Sequence, residues 1–417
     1  MKFTPLILLA FLLFTSCNKQ GTQESVATAE PTDEELRQLA DSLAQNIIIV
    51  DTHVDLPYRL DDQKIRPEGD QLGELISTKA GDFDYERAKQ GGLDAPFMSI
   101  YIPASYQNTR DFGKSFADSM IDLVGEIAKN LPDKYALATT PEEIRRNFEQ
   151  QKISLPMGLE NGAPIGKSLK NVQYFFDRGI RYITLTHSKD NQICDSSYDT
   201  THTWNGLSPF GAEVVKEMNR VGIMVDISHV SDSTFYDVIR ATNVPVIASH
   251  SSCRHFTPGF ERNMSDDMIR ALAKNGGVIQ INFGATFLDS VARANDAILE
   301  KLMADLGAKN LTSRDPEARA IITATGKSEV ELYADVERVA DHIDHVVKLA
   351  GIDYVGIGSD YDGVGDSLPV GLKDVSQYPN LIYTLLKRGY SIEDIEKICY
   401  QNIFRVWNNV IQQSQQK

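Results

Sequence analysis

The sequence predicts a (β/α)8 barrel with a helical insertion before the last strand, and two observations predict it. Eight short apolar runs recur between Ile47 and Ser359, most of them separated by stretches of helical periodicity. Six of the runs end in a histidine or a carboxylate, at the place where a barrel of this kind builds its active site. A doubly wound open sheet would not need eight such units.

In chain order, residues 1–16 read as a signal peptide. Lys2 gives a positive start, and Leu6–Phe14 is apolar but too short to span a bilayer comfortably. Thr15-Ser16-Cys17 resembles the cleavage box of bacterial lipoproteins, in which the cysteine is lipidated and becomes the new N-terminus. The alternative is an ordinary cleaved signal peptide. On the favoured reading the mature chain is exported and membrane-anchored through Cys17, facing the periplasm or the cell surface. Residues 17–45 comprise that cysteine, a polar tether and a lead-in helix, which Thr32 and Glu35 open as a capping box. Residues 46–417 form a single metal-dependent barrel domain.

Within it, strands are expected at 47–53, 95–102, 153–159, 180–186, 222–228, 244–249, 277–283 and 354–359. Helices are expected over 111–130, 211–220, 231–241 and 265–274 among others. Residues 285–335 are helical in pattern and charged, with no strand, and read as the insertion. The tail from Tyr378 to about Gln413 reads as two closing helices broken at Gly389-Tyr390-Ser391. Net charge is -16, which argues against nucleic acid as a partner. Of four cysteines none form a CxxC pair, so a zinc finger is excluded and no disulfide is expected.

The chemistry lies at the strand ends. The run Ile47–Val50 enters Asp51-Thr52-His53-Val54-Asp55, and strand alternation puts His53 and Asp55 on one side. Later runs end in Glu160, His187, His229, His250 and Asp360. Singly, each has an ordinary structural reading: a hydrogen-bonded core histidine, an ion-paired acid, a loop cap. Together they would be many buried ionisable groups around one axis, which a divalent cation would compensate. Imidazole and carboxylate without thiolate suit zinc first, then manganese or cobalt. Five ligands exceed a one-zinc catalytic set, so two ions bridged by Glu160 are expected. His53, Asp55 and Glu160 would hold one; Glu160, His229 and His250 would hold the other.

These stretches resemble the membrane (renal) dipeptidase family of zinc peptidases. The resemblance is carried by Asp51–Asp55, Asp84–Arg87 with Gly91-Gly92, Gly158-Leu159-Glu160, Leu185-Thr186-His187, Asp226-Ile227-Ser228-His229, Ser249–Ser252, Arg262-Asn263 and Gly358–Gly363, in family order over about 46–408. It implies a two-zinc barrel that hydrolyses free dipeptides, L,L- and also L,D-, by a metal-bridging hydroxide, and it admits a homodimer. His187 falls on the residue that steadies the substrate carbonyl, Arg262 on the one that binds the carboxylate, and Asp360 on the acid that handles the proton and faces the amine. Asn161 stands where the family often has glycine.

Two other readings compete. One is a barrel hydrolase of an ester, lactone or cyclic amide; the other is a non-enzymatic lipoprotein that binds peptide or metal. His202 and His255 read as solvated loop residues, and His342 and His345 as part of a charged helix face. Tyr198 and Trp204 are candidates for the pocket wall.

Overall fold

Eight parallel strands, β1 (Ile49–Val54), β2 (Leu93–Tyr101), β3 (Met157–Glu160), β4 (Ile180–Thr184), β5 (Met224–Asp226), β6 (Ile247–Ala248), β7 (Val278–Ile281) and β8 (Val355–Ile357), pair strictly in sequence order. They are seen in a computed structural model that describes residues 31–416. The segment 1–16 and Cys17 lie outside the described residues. Parallel neighbours need crossover connections, and helices supply them, giving the (β/α)8 barrel. Between β8 and β1 the ring closes without a full ladder. Val54 bridges Tyr361, the Asp360 N–H donates to the His53 carbonyl at 3.1 Å, and the Asp55 N–H donates to the Tyr361 carbonyl at 2.8 Å. Buried Asp51 ties this seam by accepting from the N–H groups of His53 (3.0 Å) and Ser359 (2.9 Å) and from the Tyr378 hydroxyl.

Val50, Phe97, Tyr182, Met224, Ile247 and Val278 form one apolar cluster with Phe404 and Trp407. Side chains from six strands meet only inside the ring, so this cluster fills the barrel, and the last helix (Asn402–Gln415) plugs it. A larger cluster packs the strands' outer side chains against the helical layer. The lead-in helix Asp33–Asn46 carries the expected capping box. Among the described residues no helix is long and apolar enough to cross a membrane.

Three local expectations are corrected. The run 153–159 is two strands broken at Pro156: Ile153–Leu155 pairs with Tyr135–Leu137 in a separate ribbon, and only Met157 onward joins the barrel. Proline has no N–H to give a ladder, so the break falls there. Asp55 is not on β1. It sits one residue beyond, at φ -90° and ψ 25°, and the turn rather than strand alternation brings it to His53. The second closing helix, from Ile392 to Gln415, includes a π-helical turn at Lys397–Gln401.

The insertion before β8 is helical, with helices at Ala285–Leu288, Ser290–Ala294, Asp296–Gly307, Ala318–Ala324 and Glu329–Tyr333. It has its own small core around Leu299, Leu302, Leu306 and Tyr333. It is fastened to the barrel mouth by Arg314, which donates to the Gly81 carbonyl at 2.9 Å and pairs with Asp82 (3.3 Å) and Asp374 (3.4 Å). Asp82 and Asp362 in turn exchange backbone-to-carboxylate bonds of 2.6 and 3.0 Å, so the insertion braces the loop after β8. Arg314→Ala should therefore lower unfolding stability by about 1–3 kcal/mol, because the carboxylates it leaves are largely buried. Denaturant unfolding followed by circular dichroism measures this.

Candidate metal centre

The ends of β1 and β3, carrying His53 and Glu160, and the turns that follow β1, β5 and β6, carrying Asp55, His229 and His250, bring these five residues into one buried cluster. Glu160 is at its centre, and its two oxygens face different partners. Oε2 lies 3.4 Å from His53 Nε2 and accepts from Ser99 Oγ at 3.1 Å. Oε1 lies 3.1 Å from His229 Nε2 and 3.3 Å from His250 Nε2. Asp55 Oδ2 extends the chain of donors, 3.3 Å from His53 Nε2. The His53 and His250 rings stack at 3.7 Å, which places His250 between the two halves.

An outer layer that sequence reasoning missed sets the tautomers. Tyr182 donates its hydroxyl proton to the Thr52 carbonyl at 3.0 Å and lies 2.9 Å from His53 Nδ1, so His53 Nδ1 carries the hydrogen and Nε2 points inward. Gly158 makes room for this tyrosine, since a Cβ there would fall 1.9 Å from the ring. Asp226 accepts from Thr184 Oγ1, Ser249 Oγ and the N–H groups of Ser228 and Ser249. Ser249 thus directs its proton to Asp226 and accepts from His250 Nδ1 at 2.7 Å, leaving His250 Nε2 as a lone pair in the cluster. The available signal was an acid, Asp226, interrupting the apolar run Ile223–Ile227.

Burial, with Arg262 beside it, holds His229 well below the ordinary imidazole range; burial and the His53 charge do the same for His250. Both stay neutral and able to act as ligands. Burial works against the Glu160 charge, but His53 and His187, with His229 and His250 close against its oxygens, outweigh it and hold its carboxyl well below the usual range. Burial likewise opposes a proton on His53, yet Tyr182, Glu160 and Asp55 hold its imidazole well above the ordinary range, and a metal cation between the two carboxylates would take that proton's place. Ligand atoms of His53, Glu160 and His250, of Glu160, His187 and His229, and of His53, Asp55 and Asp360 each lie within 4.8 Å of one another. Buried His53 Nε2 and Asp55 Oδ1 have no hydrogen-bond partner. Inward lone pairs, unpartnered buried atoms and an all-imidazole-carboxylate donor set fit divalent metal.

The remaining expected residues border the cluster. His187 Nε2 is 3.7 Å from Glu160 Oε1. Asp360 accepts from Asn282 Nδ2 at 2.8 Å, and burial lifts its carboxyl to about 6. Arg262 is buried behind His229, donating to Ser251 Oγ (2.7 Å) and the His250 carbonyl (2.8 Å), while its Nε has no partner. A cleft of about 430 Å³ opens over the cluster, with Tyr58, Tyr101, Tyr198, Phe287 and Val364 among its walls. Trp204 does not line it; its indole N–H donates to the Asn191 carbonyl at 2.8 Å.

A model of the membrane dipeptidase family, peptidase family M19, matches residues 37–417. The chain belongs to this family. It is a hydrolase of the metallo-dipeptidase type, and family members it resembles carry that description. Dipeptidase tcpJ of Claviceps purpurea is 34% identical over 338 residues, covering 79% of this chain and 70% of its own. The probable dipeptidase PvdM from Pseudomonas aeruginosa superposes with a TM-score of 0.75 at 26% identity, over 91% of this chain and 99% of its own. A metallo peptidase from Rhodobacter sphaeroides, solved with a phosphinate mimic of the dipeptide L-Ala-D-Ala, shares the fold at a TM-score of 0.69 and 22% identity, over 87% and 99%.

Where M19 members often have glycine, Asn161 adopts φ 79°, a left-handed conformation that asparagine tolerates better than most residues. Its amide bonds the Ile102 carbonyl and Gln107 at 3.0 Å each, and its Oδ1 accepts from the Ala163 N–H at 3.1 Å. One histidine reading is overturned. His342 is not on a charged face: it is fully buried, accepting from the Cys253 N–H at 3.0 Å and facing the Leu288 carbonyl at 2.9 Å. Burial drops it to about 3, a neutral structural histidine.

Two outcomes follow from this geometry. Tyr182→Phe should leave the fold intact and weaken metal binding by roughly 10–100-fold, measured by competition with a chelator. Asn161→Ala should destabilise the protein by about 2–4 kcal/mol, combining left-handed strain with lost buried hydrogen bonds, whereas Asn161→Gly should cost less because it keeps the backbone free. Thermal unfolding of the pair separates the two contributions.

Proposed function

We propose that this protein is a two-zinc dipeptidase that cleaves free dipeptides, L,L- and L,D-, with Glu160 shared between the ions. The observation that carries the reading is the split environment of Glu160, with His53, itself against Asp55, toward one oxygen and His229 and His250 toward the other. When bound there, zinc supplies Lewis-acid polarisation of the scissile carbonyl and a water acidic enough to react near neutral pH. L,D-dipeptides are included because the Rhodobacter sphaeroides protein of the same fold was solved with a mimic of one.

The chain's own residues do the rest. Asp360, held through Oδ2 by Asn282, takes the proton of the attacking water and passes it to the leaving amine. Its acid character, with Asp55 beside it, also suits the substrate's free ammonium. His187, at the cleft wall, hydrogen-bonds the carbonyl oxygen as negative charge develops there. Arg262 takes the carboxylate end, and its unpartnered Nε is the donor still available. Recognition of both termini, in a cleft of about 430 Å³, selects dipeptides over longer chains. The aromatic walls receive the side chains.

Hydrolysis of a panel of free L,L- and L,D-dipeptides, N-blocked dipeptides and tripeptides by metal-stripped and zinc-reloaded protein tests this. Zinc-restored cleavage confined to free dipeptides is expected; cleavage of an ester, lactone or cyclic amide instead would reassign the substrate class. Asp360→Asn should lower kcat by about 10²–10⁴-fold, while Arg262→Ala should act chiefly by raising KM for substrates that bear a carboxylate.

The location belongs to the same proposal. Lys2, the apolar run Leu6–Phe14 and Thr15-Ser16-Cys17 support an exported lipoprotein anchored through Cys17. Cys17→Ala should abolish fatty-acid labelling of the expressed protein, and persistent labelling would refute the anchor.

A further inference from the structure

A second group of metal-ligating side chains lies away from the barrel mouth. His255 is in the turn Arg254–Phe256 that follows β6, Asp266 opens the helix Asp266–Asn275, and His345 lies on the helix Val336–Ala350. One ligand atom from each lies within 4.8 Å of the other two. The two imidazole rings stack with centroids 4.3 Å apart, and His345 Nε2 is 2.8 Å from Asp266 Oδ1. Among the described residues Asp266 has no lysine or arginine partner; its only ion-pair contact is His345.

We propose that His255, Asp266 and His345 form a separate divalent-cation site for a borderline transition metal of the zinc, cobalt or nickel class. Two imidazoles and one carboxylate are the donor number and type of an open zinc site, with water completing the coordination. Magnesium and calcium, which favour all-oxygen shells, are poorly served. The ligands arrive from three elements whose relative positions are already fixed. The start of the loop is pinned to the same helix by the Cys253 N–H···His342 bond of 3.0 Å, and Phe256 packs edge-on against both rings, at 4.9 Å from His255 and 5.6 Å from His345. Small side-chain rotations close the set, because His255 is exposed and the other two are half-buried. A cation here cross-links the loop that carries Arg262 to two barrel helices, and it stabilises the fold because the unfolded chain does not gather these ligands.

The test counts zinc by difference, so it does not depend on how many ions the barrel mouth holds or on what the enzyme cleaves. Mature wild-type protein, His255→Ala and His345→Ala are dialysed to equilibrium against the same zinc-buffered solution, and bound zinc is measured per chain. Wild type should hold one zinc ion more than either variant. Reloading with zinc after chelation should also raise the melting temperature of wild type further than that of His255→Ala. His255 is on the surface, so the variant should melt like wild type once chelator has removed the metal. Equal zinc counts in all three proteins, or an equal melting shift in wild type and His255→Ala, would overturn the proposal.

Discussion

Burial of the Glu160 carboxylate is the constraint on which the site is built. Three imidazole nitrogens stand within 3.4 Å of its oxygens, and Asp55 and Asp360 lie close by. Such a set is costly in a low-dielectric interior unless cations or protons balance it. The surroundings answer in a particular way. Tyr182 and the Asp226–Ser249 pair fix the outer nitrogens of His53 and His250 as bearing hydrogen, so the inner nitrogens are the ones turned toward the carboxylates and a cation between them. That is the arrangement a ligand needs.

The barrel is what allows this convergence. Candidate ligands separated by up to about two hundred residues meet because every strand of a parallel ring ends at the same face. The floor beneath them is made by Tyr182 and Phe97, with Trp407 closing the far end. Tyr182 therefore belongs to two systems at once, the apolar filling of the barrel and the hydrogen bond that orients His53. Gly158, one strand away, is required by both, because any side chain there would displace that ring.

The site was legible in the sequence where chemistry and position coincided. Histidines and acids directly after apolar runs gave His53, Glu160, His229, His250 and Asp360, because a polar residue there has no ordinary reason to recur. The supporting layer was not legible. Tyr182, Ser249 and Asn282 are unremarkable residues of a strand or its end, and their roles depend on which neighbour the fold brings to them. His342 was misread for the opposite reason. Its neighbours Asp341 and Asp344 are charged, but the helix turns it inward onto Cys253 and Leu288. Local sequence reports the mean character of a helix face, and a single position is decided by packing. The break at Pro156 was written in the sequence, yet the continuity of the apolar run around it concealed that two sheets share it.

Backbone conformation adds an argument that side-chain chemistry alone does not give. His229 and Asp360 adopt φ values of 69° and 68°, and Asn161, immediately after Glu160, adopts 79°. Left-handed backbone is unfavourable for histidine and aspartate by about 1–2 kcal/mol. It persists only where the surroundings over-determine it. At Asp360 the main-chain N–H is held by the His53 carbonyl across the closing seam. At His229 the main-chain carbonyl accepts from the Ser197 N–H at 2.8 Å. The bonds that close the barrel and fasten its loops are thus the ones that hold reactive side chains in strained positions. Stability of the ring and geometry of the site are one property of this chain, and a substitution that loosens the seam between β8 and β1 will disturb the site before it unfolds the barrel.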